Sequence, residues 1–96
     1  VEAFRLHLPT IESAIALAGE REENLKLLAQ QTGATLVLRG QELLISGTAN
    51  QIQLMQRLVA ALEDDWSQGK AIAGVDILTA RQAIDTHRQD ELQDLH

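Results

Sequence analysis

Apolar and polar residues alternate at the start of the chain: Phe4, Leu6 and Leu8 fall on one side, Arg5 and His7 on the other. A period of two over residues 2–8 predicts a half-buried strand. Pro9 ends it, Thr10 is suited to cap a helix, and Glu12 suits the positive end of the helix dipole. Ile11, Ala14, Ile15 and Ala18 then follow helical spacing, which predicts a short helix with that face buried. Gly19 breaks it. A second helix begins near Glu22, with Glu22 and Glu23 in its first turn and Leu25, Leu28, Ala29 and Thr32 on one face. Gly33 is a natural residue to end it.

Residues 34–39 and 42–46 read as two strands. Gly40-Gln41 between them suits a two-residue hairpin turn in which glycine takes the positive φ. Thr48 with Gln51 forms a capping-box pattern. The helix that follows carries Ile52, Met55, Val59, Leu62 and Trp66 on one stripe, flanked by Leu58, and is expected to run to Gly69. Residues 70–75 read as a linker. Asp76 is expected to cap a last helix with Ile77, Ala80 and Ile84 on one face, and beyond Thr86 the chain turns mostly polar. The order is β-α-α-β-β-α with an additional C-terminal helix. Three strands covered on one face by helices make a two-layer α+β domain. The expected core is Phe4, Leu6, Ile15, Leu25, Leu28, Leu36, Leu38, Ile45, Val59 and Leu62.

The chain has 96 residues, the size of one domain. Its aromatics are Phe4 and Trp66, so the core must be aliphatic. It has no cysteine, hence no disulfide framework and no thiolate metal site. No apolar run approaches the roughly 20 residues of a membrane span, and no basic-then-apolar leader opens the chain. It starts at Val1 rather than methionine, as an excised piece of a longer protein would. The net charge of −6, from eight basic and fourteen acidic residues, is a poor footprint for strong non-specific nucleic-acid binding.

Catalytic chemistry finds little support. A phosphate-binding loop needs a Gly-rich turn ending in Gly-Lys-Ser/Thr, whereas Gly69-Lys70 is followed by Ala71 and Asp64 stands where the first glycine belongs. ATP hydrolysis by this fragment is not expected. His7, His87 and His96 lack a second ligand at metal-binding spacing and read as surface histidines. Glu63, Asp64 and Asp65 read as a solvated acidic turn. Trp66 suits the core stripe better than a stacking platform for a base. No serine has a local histidine and acid partner. What remains is the helix junction Gly19-Glu20-Arg21-Glu22, whose backbone amides at a helix N-terminus could hold a phosphate. Lys26 lies one turn into the second helix and Arg39 ends the next strand, so the candidate nucleic-acid-binding set is Gly19, Glu20, Arg21, Glu22, Lys26 and Arg39. The competing reading is a plain helix cap followed by a solvated helix start.

The segment from Gly19 to Gly47 resembles a KH domain, whose βααββα core carries a GxxG loop between its two helices. Thr32-Gly33-Ala34 and Ile45-Ser46-Gly47 match the entry to its second strand and the exit from its third, and Gly19 matches the first loop glycine. Glu22 stands where the second glycine should be. Over nearly the whole chain, Leu8-Pro9, Gly19-Glu20, Asn24-Leu25-Lys26, Leu38-Arg39-Gly40, Val75-Asp76-Ile77 and Arg81-Gln82-Ala83-Ile84 resemble the N-terminal domain of PhoH-like ATPases. The resemblance implies a KH-like core over residues 1–69 and a linker and C-terminal helix over 70–96 leading toward an ATPase domain absent from this chain. It implies ATP and Mg for that downstream domain and none here, and a cytoplasmic bacterial protein. The partners it implies are its own ATPase domain, single-stranded RNA and a protein such as an endoribonuclease. A GxxG backbone approaches nucleic-acid phosphates closely. Glu20, Glu22 and Glu23 around Arg21 oppose that, lying within a Debye length of about 8 Å of any phosphate bound there. The alternative is therefore a protein-interaction or oligomer-assembly module with no RNA binding, working through the sheet edge or the last helix.

Overall fold

The computed structural model describes residues 2–94, and the side chains of residues 2–87. It is an α+β domain. Strands β1 (Glu2–His7), β2 (Thr35–Arg39) and β3 (Glu42–Gly47) form an antiparallel sheet in the order β1-β3-β2. Helices α1 (Ile11–Ala18), α2 (Glu23–Thr32), α3 (Ala49–Ala61), α4 (Glu63–Trp66) and α5 (Gly74–Asp94) make the second layer.

The local signals act as the residues dictate. Thr10 accepts from the Ser13 amide at 3.0 Å and so caps α1. Thr48 and Gln51 form both bonds of the capping box at the start of α3, at 3.2 and 2.9 Å. The β2–β3 hairpin pairs Arg39 with Glu42, which leaves a two-residue turn. Gly40 there has φ of 60° while Gln41 does not enter positive φ, as a type II′ turn requires.

The sheet sends Leu43 and Ile45 of β3 fully into the core, with Leu36 and Leu38 of β2 half-buried beside them. Leu25 and Leu28 of α2, the stripe Ile52, Met55, Val59, Leu62 and Trp66 with flanking Leu58, and Ile77 of α5 complete it. Several expectations are corrected. Phe4 is 38% exposed because β1 is an edge strand with only one neighbour to cover it. Ile15 is 64% exposed and Ile11 50%, so the buried face of α1 is rotated from the one its branched residues suggest. α1 is wedged between α2 and the segment after α3. Close approach on both sides selects the small Ser13, Ala14, Ala16 and Ala18 with Leu17, and turns the two isoleucines outward.

The long third helix also ends early. Leu62, at φ −102° and ψ 3°, interrupts it, and α4 starts after it at Glu63. The Trp66 indole donates to the Val59 carbonyl at 2.9 Å, which also accepts from the Leu62 amide at 3.2 Å. Asp76 does not cap α5. It lies inside the first turn, where its carboxylate accepts from the Ala73 amide at 3.0 Å. α5 continues past Thr86 to Asp94.

The segment between α4 and α5 is packed against the body. Ile72 is buried, its amide donates to the Ala16 carbonyl at 3.2 Å, and its carbonyl accepts from Asn24 Nδ2 at 2.7 Å. Arg81 of α5 donates Nη1 to the Gln31 carbonyl at 3.1 Å, serving the C-terminal turn of α2, and Nε to Asp85. His96 lies outside the described residues.

Candidate nucleic-acid interface

The α1–α2 junction has an unusual backbone. Gly19 sits at φ 77° and ψ 179°, a region open essentially to glycine alone. A Cβ there would come within 2.8 Å of Asn24 Nδ2, the same atom that holds Ile72. Glu20–Glu23 then close a tight turn through the Glu23 amide to the Glu20 carbonyl, with Arg21 at φ 52° and Glu22 at φ 60°. Two consecutive non-glycine residues in the left-handed region are uncommon. Glu22 thus stands where the GxxG pattern places its second glycine and adopts the conformation glycine would be chosen for. No side chain caps the start of α2. Glu20, Arg21, Glu22 and Glu23 are all exposed.

Below the junction a shallow groove of about 240 Å³ runs between α2 and β2. Leu25, Ala29, Ala34 and Leu36 form its apolar floor, and Glu22 and Lys26 stand at its rim. Of the six candidate residues, the structure brings Gly19, Glu20, Arg21, Glu22 and Lys26 to one end of α2. Arg39 is placed differently. It shares the open face of the sheet with Thr35 and Val37 and sits opposite Glu42, which pairs with Arg5 at 3.4 Å. It does not line the groove. The junction and Lys26 carry three carboxylates, Glu20, Glu22 and Glu23, against the two cations Arg21 and Lys26. Such a site can take a phosphate only by backbone amides helped by two exposed cations.

Trp66 is buried and offers no face to a base. His7 is exposed on the open sheet face opposite Glu42. Among the described residues no group of three or more His, Asp or Glu is placed to hold a metal, and no helix is long and apolar enough to cross a membrane. Two features escape a reading of the residues in order. One is Asn24, whose burial in the first turn of α2 has no signal beyond a polar residue beside Leu25. The other is a cleft shared by Phe4 and Trp66, the two aromatic residues of the chain, which scarcity alone could have flagged.

Comparison with known proteins agrees with part of this picture. The chain is 48% identical over 90 residues to a PhoH-like protein of Synechocystis sp.. The match covers 94% of this chain but spans only 27% of the length of that relative. This chain is therefore similar to a small part of a PhoH-like protein. No family model matches the chain, and no solved structure matches it.

Proposed function

We propose that this chain is a non-catalytic accessory domain of a PhoH-like ATPase, N-terminal to the ATPase core, with a KH-like fold and weak affinity for single-stranded RNA. It would act in the cytoplasm and present RNA to its own ATPase domain, with an endoribonuclease as a candidate protein partner. The observation that carries the reading is Glu22 at φ 60°, which keeps a glycine's backbone at the second glycine position of the loop. The βααββα order and the apolar α2–β2 groove beside Lys26 support it. Bases would lie on Leu25, Ala29 and Leu36, and a phosphate would meet the amides at the start of α2 with Arg21 and Lys26.

The test is an NMR titration of the domain with mixed single-stranded RNA at low salt. The expected result is shifts at Gly19–Lys26 and along β2, with a dissociation constant on the order of 10⁻⁴ M. Removing Arg21 or Lys26 is expected to flatten the salt dependence, each phosphate contact contributing roughly −0.7 to the slope. Silence of these amides, with no binding created by Glu22→Gly, would leave the second reading, a protein-interaction or assembly module. The excess of carboxylates at the junction favours that reading.

A further inference from the structure

At the edge of the sheet opposite the α2–β2 groove, β1 pairs with β3 on one side and has no strand on the other. Its register is unbroken by any bulge from Glu2–Gly47 to His7–Glu42, and no proline or lysine interrupts it; the charges it carries are Glu2 and Arg5. Beside it lies an apolar cleft of about 260 Å³, lined by Phe4 and Leu6 of β1 and by Gln56, Val59, Glu63 and Trp66. The volume is below the roughly 300 Å³ at which small-molecule pockets begin, and suits one side chain. Its floor is rigid, since Trp66 is buried and tied to the Val59 carbonyl. Phe4 is partly open at its wall.

We infer that the β1 edge and the Phe4–Trp66 cleft receive an extended segment of another protein, with an apolar side chain and, two residues away, a lysine or arginine. Strand addition supplies the affinity through backbone hydrogen bonds to β1, and alternate side chains supply the choice. Side chains that face the helix layer recur every second residue. An apolar one therefore enters the cleft, and its neighbour two positions on meets the acidic rim. That rim is Glu63, and Glu2, which shares the strand face of Phe4 and Leu6 by alternation; both are exposed.

The same charges argue against a second copy of this chain. Keeping both helix layers on one side allows two antiparallel β1–β1 registers of useful length. One centres on Phe4 and puts Glu2 of the second copy opposite Leu6, beside Glu63. The other sets Arg5 against Arg5. Like charges directly opposite one another destabilise a sheet. A heterologous strand with a cation at that position turns the repulsion into attraction. The site is separate from the RNA groove and does not depend on it.

Trp66, the single tryptophan, reports on the cleft. The probes are acetyl-Lys-Thr-Leu-Thr-Lys-amide and its counterpart with both lysines replaced by glutamate. The lysine peptide is expected to shift the amides of β1 saturably and to change Trp66 emission, with the glutamate peptide about tenfold weaker. Phe4→Asp is expected to abolish both signals, and Glu63→Lys, an exposed change, to reverse the order of the two peptides. The proposal is overturned if the lysine peptide leaves β1 amides unmoved, or if the wild-type chain binds both peptides alike. Sedimentation showing self-association that Phe4→Asp disrupts also overturns it, by giving the edge to a second copy.

Discussion

Glu22 shows how a single residue can keep a shape while changing its chemistry. A left-handed conformation costs a residue with a Cβ roughly 1–2 kcal/mol, and glycine escapes that cost but loses about 0.5–1 kcal/mol of backbone entropy. Glu22→Gly is therefore expected to leave the fold intact and to stabilise it by up to about 1 kcal/mol, read as a higher urea midpoint at unchanged slope. If the groove binds RNA, the same substitution strengthens binding by removing a carboxylate from the path of the phosphate. A midpoint that falls would mean the Glu22 side chain holds the turn. Gly19 is the converse. At φ 77° and ψ 179°, with Asn24 Nδ2 2.8 Å from where a Cβ would be, Gly19→Ala combines backbone strain with displacement of a buried side chain. A loss of about 1–3 kcal/mol from the strain alone is expected in the same assay. The sequence singles out Gly19 as a breaker and, through the GxxG spacing, marks Glu22 as a glycine position, but that a glutamate keeps a glycine's angles there is set by how α1 and α2 must meet.

At the scale of elements, period and capping are legible where one partner decides the buried face. β3 between two strands, and α3 over the sheet, bury the residues that alternation and helical spacing select. The reading fails where two partners compete. α1 is squeezed by α2 on one side and by residues 67–72 on the other, and Ser13 Oγ even donates to the Ser67 carbonyl at 3.3 Å. Distance of approach then outranks hydrophobicity, and Ile11 and Ile15 are left in solvent. Long-range hydrogen bonds are equally hidden, since Asn24 and Ile72 lie 48 residues apart. That bond anchors the entry to α5. Asn24→Ala would bury the Ile72 carbonyl without a partner, at a cost of about 1–3 kcal/mol. Hydrogen exchange should show the loss as faster exchange of amides at residues 72–77, while Lys26→Ala, two residues further on and exposed, leaves exchange unchanged. Equal exchange in the two variants would mean that water replaces the Asn24 amide.

For the whole molecule the question is where the folding unit ends. Gly69 and the short stretch with a single lysine at 70–75 suggest a boundary at Gly69, with a KH-like core complete before it. The packing points further along the chain. Ile72 and Ile77 are both buried, Ala80 and Ile84 pack on the same core, and Arg81 serves the last turn of α2. Removing residues 70–96 would expose the surfaces of α1, α2 and α3 that these groups cover. Burial of each isoleucine contributes about 1.5–3 kcal/mol. Two of them, with the Asn24 and Arg81 hydrogen bonds, approach the 5–15 kcal/mol that separates a typical domain from its unfolded state. A chain ending at Gly69 is therefore expected to lose cooperative urea unfolding or to unfold at a much lower midpoint than residues 1–96. A truncated chain with the full-length midpoint would place the boundary at Gly69 and make α5 a passive connector. Loss of the transition would instead make α5 part of the domain, so that any force or rotation applied to α5 by a following domain reaches the α1–α2 junction through Ile72 and Asn24.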